Sequence, residues 1–150
     1  MLAVILEIVN VSIFFIIGGI LFKAAHADIS TKSVENIYPF TILVIALTNN
    51  WLKGTPISYL MGLLLAIPFI IAFYLNKFGG ADVKLIIALS IYLGFYNSFI
   101  LIISALVSSL IIELIKRVRT KSKDSYPFVP YLFFGFLVTA MPTIAKMLWS

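Results

Sequence analysis

The chain has 150 residues, of which 62% are hydrophobic and 11% charged, and it carries a net charge of +5. A soluble domain is about half apolar and about a quarter charged, so lipid as well as a protein core must cover part of this surface. The absence of cysteine and the single histidine, His26, exclude disulfides, cysteine nucleophiles and a zinc site built from His and Cys. The basic residues flank apolar runs, as loop charges of a membrane protein do, so nucleic acid is excluded as a partner and the lipid bilayer is expected as one.

A helix needs about 20 apolar residues to cross about 30 Å of hydrocarbon. Leu2 to Phe22 is such a run, interrupted by Glu7, Asn10 and one serine. Ala25-His26-Ala27 has the look of a small-x-small cleavage site, but no basic residue precedes the run and Lys23 follows it, so the segment reads as a retained span. Ile37 to Trp51 opens on Tyr38-Pro39, which suits a first helical turn. Ile57 to Leu75 contains Pro68, tolerated in a packed membrane helix. Val83 to Ile115 has only Lys84 and Glu113 charged. As one helix it would be about 50 Å long, too long for a bilayer, and Gly94 to Ser98 is the natural place to turn back. Phe128 to Leu148 is the last run. The expected fold is therefore all-α: a polytopic membrane bundle of about six transmembrane helices, forming one domain over residues 1–150.

Loop charge orients this bundle. Lys23, Lys32, Lys77, Lys84, Lys116, Arg117, Arg119, Lys121 and Lys123 fall in or beside loops one, three and five, and only Lys53 and Lys146 fall elsewhere. By the positive-inside rule those loops are cytoplasmic and both termini face outward. Of the six acids, Glu7, Asp28, Glu35, Asp82, Glu113 and Asp124, two then share a cytoplasmic level: Asp28 in the first loop, and Asp82 at the end of the third. Two carboxylates at one level of a bundle can converge. A converged pair shares a proton; its ionised member activates a water and its protonated member polarises a carbonyl. Such chemistry needs no metal and no cofactor.

Gly79-Gly80-Ala81-Asp82 is a small-residue approach to an acid; it reads equally as a turn followed by an N-cap aspartate. Two further segments break the tie. Asp28-Ile29-Ser30-Thr31-Lys32-Ser33-Val34-Glu35-Asn36 resembles the first motif of type IV prepilin peptidases, and Gly79-Gly80-Ala81-Asp82-Val83-Lys84-Leu85 resembles their Gly-x-Gly-Asp motif with its following lysine. Tyr126 to Leu132, with Gly135, is similar to a third segment at the start of the family's last helix. Glu35 stands where the first motif has proline, and Ala81 replaces the second glycine, as in archaeal members that process preflagellins and prepilins.

The resemblance implies a prokaryotic cell-membrane aspartyl endopeptidase with Asp28 and Asp82 as catalytic acids, supported by Gly79, Gly80, Ala81 and Lys84. It implies removal of the short basic leader from prepilin- or preflagellin-like precursors at the cytoplasmic face. Without the cysteine-rich segment of larger bacterial members, no methylation of the new N-terminus is expected. A proton-coupled transporter and a silent membrane scaffold are the competing classes. Among the remaining residues, Glu113 precedes Lys116 and Arg117 at helical spacing and reads as an ion-pair partner. Glu7 reads as structural, Asp124 as solvated and His26 as a bystander. Lys84 suits equally a headgroup anchor or an electrostatic influence on the acids, and Asn97 and Ser104 suit interhelical hydrogen bonds.

Overall fold

The computed structural model describes residues 2–54, 60–76, 78–119 and 127–148. Among these, five helices and no strand occur: α1 (Leu2–Thr31), α2 (Ile37–Leu52), α3 (Leu63–Tyr74), α4 (Gly80–Arg119) and α5 (Val129–Leu148). The all-helical expectation holds. Two stretches, Ile8–Thr31 and Gly80–Lys116, are long and apolar enough to cross a membrane. The other apolar helices are shorter, so helix length alone marks two stretches and not six crossings.

The sequence explains where these helices stop. In α2, Pro39 sits in the first turn, where its missing N–H leaves no bond unmade. The helix ends with Gly54 in a left-handed conformation (φ 66°), and its N–H donates to the Trp51 carbonyl. In α3, Pro68 is accommodated inside the helix.

The decisive feature of α4 is Gly94, whose φ of 72° and ψ of −178° break the helix. That region of backbone space is open essentially to glycine alone. The chain reverses there. Ser98 Oγ donates to the Ser90 carbonyl at 3.3 Å, whereas residues eight apart on a straight helix are separated by about 12 Å. The first limb (80–93) and second limb (95–119) therefore lie side by side, as the length of the apolar run predicts. Asn50 Nδ2 donates to the Ile91 carbonyl at 2.7 Å, binding the end of α2 to this corner and satisfying a carbonyl in the turn before the break.

α4 is the centre of the bundle and touches α2, α3 and α5, while α1 packs on α5 and α2. The core joins Ile17 and Leu21 of α1 and Ile42 of α2 to Leu85, Ile86, Leu89 and Leu101 of α4 and Leu132 and Phe136 of α5, all fully buried. Phe136 stacks on Phe14 at 4.3 Å between ring centres. At Gly135 the helices nearly touch: a Cβ there would stand 2.5 Å from the Leu101 carbonyl oxygen. Such close approach through a small residue is how helices associate in lipid, where burial of apolar surface supplies no driving force. Outside this core, large side chains such as Phe15, Phe22, Trp51 and Leu110 are exposed, in keeping with a surface that faces hydrocarbon.

Candidate active site

Asp28 is not in a loop. α1 runs nine residues past Phe22, because Ala24, Ala25 and Ala27 favour helix and the Ser30 and Thr31 hydroxyls bond back to the carbonyls of His26 and Ala27. The buried stripe of α1 passes through Ile17, Leu21 and Ala24 and continues to Asp28, which is 8% exposed. The acid thus occupies a position that would otherwise be filled by a core side chain. Its Oδ2 accepts the Val129 N–H at 3.0 Å, and the Phe128 N–H is directed at the same carboxylate. Val129 opens α5, where N–H groups have no partner within their own helix. Pro127 and Pro130 contribute none, so Asp28 meets the need for an acceptor at this end and places a negative charge where the α5 dipole favours one.

Asp82 lies in the first turn of α4. It is not the N-cap: the opening turn closes from the Val83 N–H to the Gly79 carbonyl at 3.2 Å, which puts the cap at Gly79. The two glycines make room for side chains. A Cβ on Gly79 would stand 2.7 Å from Asp82 Oδ2, and one on Gly80 would stand 2.9 Å from Cε2 of Phe73. Neither has a positive φ, so clearance and not torsional freedom is what they provide. Ala81 continues the helix on ordinary backbone, and nothing in its conformation requires the glycine of the related motif.

Asp28 and Asp82 line one cavity of about 500 Å³, and the Asp28 charge acts on Asp82. Phe78, Phe128 and Tyr131 form apolar walls, and Lys32 lines the cavity too. Lys32 ends α1 in a left-handed conformation (φ 52°), its N–H donating to the Asp28 carbonyl at 3.1 Å. Lys84 points elsewhere. Its Nζ donates to Asn36 Oδ1 at 2.8 Å, tying the segment after α1 to the second turn of α4. Asn36 is at the N-cap position of α2 but makes no side-chain cap bond; its amide serves the lysine instead. The last residue of the first motif and the lysine of the second are thereby clamped together, a role for Lys84 different from both expected ones.

Two polar residues of the cavity were not anticipated as part of a site. Ser109 and Glu113, from the second limb of α4, line it together with the acids. The signal that could have found them is the reversal at Gly94, which brings residues near 110 to the level of residue 82. His26 opens onto a separate cavity of about 410 Å³ with Lys23 and Glu35, away from Asp28. Asn97 Nδ2 donates to the Leu93 carbonyl at 3.5 Å, across the Gly94 break from the second limb to the first. Ile57, Lys77, Lys121, Lys123, Asp124 and Tyr126, and the side chains of Glu7, Arg117, Arg119 and Lys146, lie outside the described residues.

The arrangement offers two carboxyl groups, unequal in their partners, at the wall of a cleft large enough for a short peptide segment. The model of the type IV leader peptidase family matches residues 8–114 of the chain, a range that holds both aspartates and all but the last five residues of α4. No curated protein and no solved structure matches the chain.

Proposed function

The chain belongs to the type IV leader peptidase family and is a protease of that type; from this premise we propose that it is a membrane-embedded aspartyl endopeptidase with Asp28 and Asp82 as its dyad. It removes the short basic leader of prepilin- or preflagellin-like precursors at the cytoplasmic face. The observation that carries this reading is the shared cavity: two acids from distant parts of the chain line one cleft, within reach of each other's charge.

The geometry suggests a division of labour. The Val129 N–H supports negative charge on Asp28, so Asp28 is the ionised member that takes a proton from the attacking water. Asp82, with no side-chain hydrogen bond among the described residues, carries the shared proton. It donates to the scissile carbonyl oxygen as the tetrahedral intermediate forms. Collapse of that intermediate returns the proton taken by Asp28 to the leaving amine. Six crossings serve this chemistry: α1, α2, α3, the two limbs of α4, and α5, in one domain with both termini outside and the aspartates at the cytoplasmic boundary.

Coexpression with a panel of membrane-anchored precursors bearing basic leaders tests the reading. Wild type is expected to shorten at least one precursor by its leader, and Asp28→Asn and Asp82→Asn to leave it full length. Leader removal that survives either substitution would overturn the dyad. A panel left entirely uncut would shift the reading to transport or scaffolding.

A further inference from the structure

Glu113 is an acid that the dyad does not use. A two-carboxylate mechanism needs one proton donor and one base, and Asp28 and Asp82 fill both places. Glu113 nevertheless lines the same cleft, on the second limb of α4, one helical turn beyond Ser109. Asp28 is the charge that acts on Asp82, and Glu113 enters the cleft from the other limb of α4. Its neighbours Lys116 and Arg117 offered a simple ion pair in the sequence. Among the described residues its carboxylate has neither an ion pair nor a hydrogen-bond partner, and it remains exposed at the cleft wall.

The lining around it has a definite sign. Among the described residues, three carboxyl groups, Asp28, Asp82 and Glu113, face one cationic side chain, Lys32. Even with one proton shared by the dyad the cleft keeps an excess of negative charge, and a cleft of one sign concentrates ligands of the other. The rest of the wall is apolar or aromatic, through Phe78, Leu106 and Tyr131. An extended peptide laid across the aspartates would therefore meet apolar walls and, to one side, a single fixed carboxylate.

We infer that Glu113 is the charge-reading station of this cleft, receiving a lysine or arginine side chain of the substrate's leader close to the scissile bond. This deepens the peptidase reading and rests on it. A charge pair in a partly enclosed cleft discriminates more than one on an open surface, and one that is made on binding sets which leader is accepted without taking part in bond cleavage.

The test compares purified wild type and Glu113→Gln on two matched precursors that differ only in the basic leader residue nearest the cut, present as Lys or as Gln. Wild type is expected to favour the lysine leader by about tenfold in kcat/KM. Glu113→Gln should lose that preference, the loss falling on the lysine leader, and Glu113→Lys should come to favour a leader with Glu at that position. A Glu113→Gln enzyme that stays active and keeps the full lysine preference would overturn the subsite and leave the dyad standing. Equal slowing on both leaders, with a lowered thermal midpoint, would mark Glu113 as merely structural and also overturn it. If wild type cuts neither precursor, the peptidase reading fails and takes this inference with it.

Discussion

The two ends of α4's first limb both hold buried polar groups, and they use them in opposite ways. At the Gly94 corner, Asn50 and Ser98 spend their donors on the backbone carbonyls of Ile91 and Ser90. These bonds close the turn, while Asn49 Nδ2, Asn50 Oδ1 and Ser90 Oγ stay buried there without a partner among the described residues. At the other end, Asp28 has a single bonded oxygen and Asp82 none among the described residues, and both face a cleft. A buried polar group without its full set of partners costs stability. Both ends carry that cost, and they differ in where the groups face: those at the corner are buried in the core, whereas the two carboxyl groups line the cleft. Neither buried polarity nor incomplete satisfaction alone marks a functional site in this chain; carboxyl groups beside open volume do.

Substitutions can break or sharpen this contrast. The largest effect is expected at Gly135→Leu, which drives a side chain into the Leu101 carbonyl. It should separate α5 from α4, with loss of folded protein in detergent judged by thermal unfolding and size-exclusion chromatography. Gly79→Ala acts only at the acid end. Its methyl displaces the Asp82 carboxylate, and a misplacement of about 1 Å costs about 10²-fold in rate, so cleavage should fall that far with the thermal midpoint near wild type. Gly94→Ala acts at the corner. Its strained backbone costs about 1–3 kcal/mol, read as a lowered thermal midpoint, with cleavage per folded molecule retained. The smallest effect is expected from Lys84→Met, which opens the clamp to Asn36. It should slow cleavage a few-fold, matched by Asn36→Ala and not worsened in the double variant, since both remove one bond.

The same contrast explains what could be read in advance. The reversal at Gly94 was legible because an apolar run of that length cannot stay straight in a bilayer, and only glycine suits the corner it needs. The two aspartates were legible because acids are so few in this chain. The helical setting of Asp28 was not. Hydropathy marks where lipid contact ends, at Phe22, while helix continues on alanines and back-bonded hydroxyls to Thr31. Yet the stripe through Ile17, Leu21 and Ala24 pointed to position 28, and following it would have placed the acid in the core. The duties of Gly79 and Gly80 were hidden as well, since they concern clearance from Asp82 and Phe73, contacts made only in the folded chain. The place of Glu113 in the cleft was hidden for a related reason. Its close neighbours in sequence are basic, and the cleft that it lines exists only once α4 has doubled back.

The most direct measurement is a paired one: leader cleavage and thermal midpoint for Asp82→Asn and for Asn50→Leu, in the same detergent and on the same precursor. The account predicts that Asp82→Asn loses cleavage by about 10²–10⁴-fold and unfolds at or above the wild-type temperature. It predicts that Asn50→Leu unfolds earlier and still cleaves when folded. Cleavage that persists in Asp82→Asn, or is lost in a folded Asn50→Leu, would contradict it.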